Sequence, residues 1–293
     1  MMQHVPVMLD EVLEWLRPRP GMTLVDGTLG AGGHVRALAE RVSPGGEVLA
    51  FDRDPAALAA AERDLRGLPV KIVHANYAEL PQVLAQLGVS LVDGMLLDLG
   101  VSSDQLADPE RGFSFDADGP LDLRFDPTAG EPAWNLLQRC GERELADLIY
   151  RYGEERYSRR IARRIVERRA GEPIRTAGEL AWLVRSCVPR SPGHAIDPAT
   201  RTFQALRIAV NDELASLERM LRQLPDCLRP GGRVAIISFH SLEDRLVKSA
   251  FRDDPRYEAL TRKPVRPTAA EVARNPRSRS AKLRVAARSV AQA

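Results

Sequence analysis

Cysteine, aromatic residues and long apolar runs are all scarce in this 293-residue chain. The three cysteines, Cys140, Cys187 and Cys227, are odd in number and stand 47 and 40 residues apart. That excludes a disulfide scaffold and a CxxC zinc or redox site, and it fits a reducing, cytoplasmic compartment. No apolar run approaches the roughly 20 residues that span a bilayer, so no membrane partner is expected. Asp10, Glu11 and Glu14 stand where a signal peptide would need an apolar stretch. The histidines offer no metal-ligand spacing: His74 ends a strand-like run, and His194 sits alone in a Pro/Gly stretch. No metal is expected. What remains is 44% hydrophobic and 28% charged residues, the balance of a globular protein. At roughly 150 residues per domain, the length suggests about two domains.

The net charge of +2 conceals an uneven distribution. From Arg256 onward ten basic residues face only Glu258 and Glu271, so this tail carries +8 and the rest of the chain −6. A Pro-broken basic tail suits a nucleic acid. A second cluster, Arg151 to Arg169, has two readings: a polyanion surface, or a solvated helix face partnered by Glu154, Glu155 and Glu167.

Strand-like and helix-like segments alternate through the first hundred residues. Met22–Val25, Glu47–Phe51, Val70–His74 and Val92–Leu97 read as strands. His34–Arg41, Pro55–Leu65 and Leu80–Leu87 read as the helices between them. The next clear strand is Arg233–Phe239, entered through the turn Leu228–Gly232. Most of the interval is helical in period: Arg143–Tyr150, Ser158–Arg169, Ala177–Val188 and Ala199–Leu224, with Pro189, Pro192 and Gly193 breaking the run. The pattern predicts an α/β fold with a doubly wound, mostly parallel sheet and a helical insertion. Residues 1–105 and 201–293 would form the core with its basic tail, and 106–200 the insertion. Arg262–Arg279 reads as a loop, and Lys282–Arg288 as a last edge strand.

The most informative stretch is Val25-Asp-Gly-Thr-Leu-Gly-Ala-Gly-Gly-His34. A Gly-rich turn after a first strand lets a ligand approach the backbone. The dinucleotide spacing GxGxxG does not fit, because Leu29 and Val35 stand where glycines are needed. Instead an acid, Asp26, precedes Gly30, Gly32 and Gly33, and a second acid, Asp52, ends the next strand. An acid there can accept both ribose hydroxyls. A carboxylate beside the turn repels pyrophosphate and suits a cationic nucleoside such as S-adenosylmethionine. Asp98 ends the fourth strand, in the same crevice as Asp26 and Asp52. Asp54 explains itself as a cap for the helix from Pro55. Asn76 or Tyr77 sits at the ligand edge of the third strand, where Tyr77 would either stack on adenine or pack at the rim.

These residues resemble one family. His4-Val-Pro-Val7, Asp26 to His34, Asp52-Arg-Asp-Pro55 and Leu97-Asp-Leu-Gly-Val-Ser-Ser103 are similar to the bacterial small-subunit ribosomal RNA cytosine-N4 methyltransferases of the MraW type. So are Arg111–Phe115, Gly119–Asp122, Tyr152–Glu155, Thr200–Arg207, Asn211–Leu214, Ser238–Arg245 and Asn275–Arg284. The blocks run in order from residue 4 to 284. The resemblance implies a class I S-adenosylmethionine-dependent methyltransferase core, with S-adenosylmethionine as cofactor. It implies a target cytosine in the decoding region of 16S ribosomal RNA, within the small ribosomal subunit. It places cofactor contacts on Gly32, Gly33, His34, Asp52, Tyr77, Asp98 and Gln105, beside Asp26 and Gly30 from the residues themselves. The family usually has Phe where Tyr77 stands. Thr28 occupies the first glycine position of the wider methyltransferase pattern, and Asp98-Leu-Gly-Val replaces the usual Asp/Asn-Pro-Pro-aromatic box.

The exocyclic N4 of cytosine is a poor nucleophile because its lone pair is conjugated into the ring. A site must accept hydrogen bonds from that amine and align it. Asp98 is the candidate catalytic residue, with cofactor contact alone as the favoured alternative. An extruded base needs aromatic platforms. Phe113 and Phe115 are either those platforms or anchors for the insertion. His240 and Ser241 end the fifth strand near the crevice, with Ser241 expected to cap the following helix. Arg201, Gln204, Arg207 and Asn211 recur on one helix face that would contact RNA. Two other functions are weaker. A DNA amino-methyltransferase lacks its Pro-Pro box, and a catalytically inactive ribosome-assembly RNA-binding protein would not need three strand-end acids. The sequence leaves oligomeric state open, a homodimer included.

Overall fold

The computed structural model of the chain describes residues 5–115, 118–189 and 197–290. His4, Pro192, Gly193 and His194 lie outside them. Two compact units form: Met1–Gly100 with Leu214–Ala293, and Val101–Glu213.

The first unit holds one seven-stranded sheet. Its strands are β1 (Thr23–Asp26), β2 (Glu47–Asp52), β3 (Val70–His74), β4 (Val92–Asp98), β5 (Leu228–Ser238), β6 (Tyr257–Ala259) and β7 (Lys282–Arg288). They lie in the order β3-β2-β1-β4-β5-β7-β6. The five from β3 to β5 are parallel, and β7 runs antiparallel to both β5 and β6. This is the doubly wound, mostly parallel α/β architecture that the sequence predicts. Near-continuous apolar runs such as Val48-Leu-Ala-Phe51 reflect it, because both faces of a parallel sheet are covered. Leu49, Phe51, Met95 and Leu97 enter one core, and Val48, Ala50 and Leu96 the other. The two-residue strand period divides them.

Several expectations need correction. Lys282–Arg288 is not an edge strand, because β6 pairs along its outer side. The expected turn Leu228–Gly232 belongs to β5 as an irregularity: Val92 pairs with Leu228 but Gly94 with Arg233, so residues 229–232 bulge out. Ala199–Leu224 is not one helix but two, Ala199–Asn211 and Glu213–Cys227, separated by Asp212 in the left-handed conformation. The segment 262–279 is not all loop, since Ala269–Arg274 is a helix capped by Thr268.

The second unit is helical and spans 101–213 rather than 106–200. Residues 201–213 join it because Phe203 and Leu206 enter its core with Leu145, Ile149 and Ile161. Gly153, at the end of the helix Glu142–Gly153, permits that approach: a Cβ there would stand 2.5 Å from the Arg201 carbonyl oxygen. No helix among the described residues is long and apolar enough to cross a membrane.

Candidate active site

The chain order of the sheet reverses between β1 and β4, where an open parallel sheet leaves a crevice beyond its strand ends. Asp26 ends β1, Asp52 ends the neighbouring β2, and Asp98 ends β4. All three acids therefore meet at one edge of the sheet. The Gly turn runs between the first two. Gly30 and Gly32 adopt φ of 50° and 77°, the left-handed region that glycine enters without steric cost. Gly27 makes room of another kind. A Cβ there would lie 2.4 Å from Leu97 Cδ2 and 2.9 Å from Tyr77 Cβ, so only glycine lets Tyr77 settle on the turn.

Asp52 organises the turn. One carboxylate oxygen accepts the Gly30 N–H at 2.8 Å and the other the Asp54 N–H at 2.9 Å. Asp54 caps the helix Pro55–Asp64 as expected, accepting from Ala56 N at 3.0 Å. With the Arg53 N–H as a third donor, the Asp52 carboxylate keeps acceptor capacity for an incoming hydroxyl.

Asp26 and Asp98 are joined by Thr28, which sequence reasoning treated only as a missing glycine. Asp26 Oδ1 accepts from Thr28 N at 2.9 Å and from the Thr28 hydroxyl at 3.3 Å. The same hydroxyl accepts the Asp98 N–H at 2.7 Å. A glycine here would leave that buried N–H and one Asp26 lone pair unserved. Two carboxylate oxygens, Asp26 Oδ2 and Asp98 Oδ1, are shielded from solvent and without a hydrogen-bond partner. Burial pushes the Asp26 carboxyl up to about 7, against the two Thr28 hydrogen bonds that favour its ionised form. Asp98 is raised well above the ordinary carboxylate range, first by burial and then by Asp26, Glu243 and Glu271. Asp52 is also raised, again by burial. The two unserved oxygens of this cluster would be satisfied by a positive charge or further hydrogen-bond donors. The cluster fits S-adenosylmethionine, whose ammonium and sulfonium are positive and whose ribose offers two hydroxyls.

One observation decides the family. The chain matches the MraW methylase family over residues 1–289. The protein belongs to that family. Among curated relatives, it is 54% identical to the "Ribosomal RNA small subunit methyltransferase H" of Rhodopirellula baltica, over 98% of this chain and 91% of that one. It is 50% identical to the protein of the same name from Thermomicrobium roseum, over 97% and 93% of the two chains. For that of Syntrophus aciditrophicus the identity is 49%, over 97% of each.

The other residues singled out from the sequence of this MraW methylase are placed as follows. Gly32 is the N-terminal cap residue of the helix Gly33–Val42, and the Pro6 ring packs against Gly33. His34, on the first turn of that helix, is buried and bonded to the Val7 carbonyl at 3.0 Å. Asn76 is structural: it caps the short turn Tyr77–Glu79 and donates to Ser216 Oγ at 3.0 Å. Tyr77 is half-buried on that turn.

Of the predicted site residues at the end of β5, His240 and not Ser241 is the helix cap. Its Nδ1 accepts the Glu243 N–H, and Ser241 is exposed as the first helical residue. The alternation of side chains stops where β5 ends at Ser238, so it does not reveal which of the two following polar residues will turn inward.

Gln105, Phe113, Phe115, Arg201, Gln204, Arg207 and Asn211 lie in the second unit. Gln105 is buried, and its side chain accepts from Ser102 N in a reciprocal cap. Phe113 is buried and stacked on Phe125 at 5.8 Å, and Phe115 packs edge-on against Phe203 at 5.2 Å. Both ring contacts lie within the second unit.

The polar helix face makes hydrogen bonds within its own unit. Gln204 donates to the Tyr152 carbonyl and Arg201 to that of Glu154. Arg207 makes a two-pronged pair with Glu213 at 2.8 and 2.9 Å. Asn211 is buried, accepts from Phe125 N and donates to the Leu123 carbonyl, both at 2.7 Å. The three cysteines are buried, and burial raises the Cys140 and Cys227 thiols to about 11, so neither is a nucleophile at neutral pH.

Proposed function

We propose that this MraW methylase transfers a methyl group to N4 of a cytosine in the decoding region of 16S ribosomal RNA, within the small ribosomal subunit in the cytoplasm. The observation that carries the reading is the trio of strand-end acids around the Gly turn, with two buried carboxylate oxygens lacking donors. Bound S-adenosylmethionine supplies a methyl on a positive sulfur. Asp52 accepts the ribose hydroxyls while its carboxylate holds Gly30 and Asp54 in place. Tyr77 offers its face to the adenine. Asp26 and Asp98 present negative charge to the positive groups. Asp98, or a carbonyl of the Leu99–Val101 turn, accepts a hydrogen bond from the cytosine amine as its nitrogen becomes tetrahedral. The names of the curated relatives support small-subunit ribosomal RNA as substrate. The family resemblance and the buried acceptor at Asp98 support the cytosine amine.

Mass spectrometry of small-subunit RNA from cells lacking the protein tests this reading. One N4-methylated cytidine should disappear, and an unchanged set of methylated cytidines rejects it.

Basic side chains would hold the RNA. Arg262, Lys263, Arg266, Arg274, Arg277 and Arg279 are all exposed on the segment that precedes β7. Other basic residues of the tail are spent at home: Arg284 and Lys282 pair with Asp244 at 2.7 and 3.4 Å, and Arg256 with Asp254. The second unit is the proposed recognition module. Its Arg-rich helix Ser158–Gly171 keeps Arg159 and Arg160 exposed, while Arg163 and Arg164 pair with Glu142 and Glu167. RNA affinity should fall steeply with salt, by roughly 0.7–0.9 log units per tenfold salt for each phosphate neutralised. Replacing Arg262, Lys263 and Arg266 together with Ala should flatten that slope by about 2. Filter binding across a salt series reads it, and an unaltered slope removes this segment from the RNA contact.

A further inference from the structure

A relay of buried groups links the helix Ala269–Arg274 to the end of β4. Glu271 Oε1 accepts the Met8 N–H at 2.6 Å. The preceding residue, Val7, turns its carbonyl oxygen to His34 Nε2 at 3.0 Å. The other ring nitrogen of His34, Nδ1, stands 3.7 Å from Asp98 Oδ2. Glu271, Met8, Val7 and His34 are all more than nine-tenths buried. Asn275, just past the same helix, adds a second tie by donating to the Val5 carbonyl at 3.1 Å.

The chemistry of the relay is directional. A carbonyl oxygen only accepts, so His34 Nε2 carries the hydrogen. In the neutral ring Nδ1 is then an acceptor, and it faces a second acceptor on Asp98. Two acceptors so close repel, and a proton on either one relieves that repulsion. The charged groups that face Asp98 are Asp26 from β1, Glu243 from the helix Ser241–Asp253 and Glu271 itself. All three are acidic and favour retention of that proton. Glu243 is held in turn, accepting from Phe239 N at 2.9 Å.

We propose that Glu271 is a positioning residue of the donor site: by holding Met8 and the Val7 carbonyl it fixes the His34 tautomer, and it makes His34 and Asp98 a one-proton pair whose proton the donor's positive charge displaces. The inference rests on S-adenosylmethionine being the donor. In the empty site the pair keeps its proton and its negative charge is cancelled. A cation beside Asp98 replaces the proton. Donor binding therefore releases a proton, and affinity falls as pH falls through the titration of the pair, by up to about tenfold per pH unit.

The test uses the full chain. Nitrogen-15 spectra of its histidines report which ring nitrogen of His34 is protonated, and calorimetry with S-adenosylmethionine in buffers of different ionisation enthalpy counts protons released. The wild type should show a hydrogen on Nε2 in the donor-free protein, release of a proton on binding and a pH-dependent Kd. Glu271→Gln keeps an oxygen for Met8 but removes the charge, so the tautomer should persist while the midpoint of the Kd–pH profile moves to lower pH. Glu271→Ala should lose the single tautomer as well. A hydrogen-free Nε2 in the donor-free wild type, a pH-independent Kd, or an unmoved midpoint in both variants would overturn the inference. So would loss of the pH dependence in Asp26→Asn alone, which would assign the proton to Asp26. Absence of donor binding at every pH would instead overturn the donor assignment itself.

Discussion

Replacing Asp98 with Ala cuts kcat/KM for the RNA by at least about 10²–10³-fold, the usual cost of removing a preorganised partner for developing charge. Asp98 is placed for this by the sheet: it ends β4 opposite Ile237 of β5, and its N–H is tied to Thr28. Its Oδ1 is buried without a donor, so it is desolvated before any ligand arrives. Asp98→Asn preserves the shape and removes the charge, and should lose nearly as much. Single-turnover transfer of a labelled methyl measures the chemical step, and equilibrium donor binding measures the site separately. Loss of transfer with donor affinity intact assigns Asp98 to the target amine. Loss of both assigns it to the donor. Continued methylation with unchanged donor binding would remove Asp98 from both roles.

Replacing Asp52 with Ala raises the donor Kd by about 10²-fold, through two charge-assisted hydrogen bonds of about 1.5 kcal/mol or more each. The carboxylate acts twice. It stands at the end of β2, where ribose hydroxyls would arrive, and it anchors the Gly30 and Asp54 N–H groups that set the shape of the turn. Asp52→Asn keeps one accepting oxygen and turns a donor toward the other N–H, so it should fall between wild type and Ala. Calorimetry with S-adenosylmethionine reads the effect. A Kd unchanged in Asp52→Ala would place the ribose elsewhere. The RNA step should follow donor occupancy, so saturating donor restores much of kcat in this variant but not in Asp98→Ala.

Acids at strand ends were legible because a parallel sheet leaves so little freedom. Asp26, Asp52 and Asp98 each follow an apolar run, and right-handed crossovers place all parallel strand ends at one edge. The Gly turn was legible for a related reason, since only glycine serves a close backbone approach with positive φ. The packing of Phe113 and Phe115 was not legible: a loop aromatic looks the same in sequence whether or not it packs on Phe125 or edge-on against Phe203. The partners of Gln204 and Asn211 were hidden for a similar reason. The periodicity of these two residues fixed a common face, but not the backbone carbonyls of Tyr152 and Leu123 that satisfy it. Thr28 was hidden because its partners, Asp26 and the Asp98 N–H, lie 2 and 70 residues away.

Local pattern alone determined the α/β alternation, the parallel core, the edge where the acids gather and the cap at Asp54, because each depends on short-range geometry repeated along the chain. The pairing of β7 between β5 and β6, the extent of the helical unit to Glu213 and the reach of Glu271 across to Met8 were decided only by the folded chain. Those features join residues up to 263 positions apart, and which buried donor meets which buried acceptor at that range is settled by packing, not by spacing.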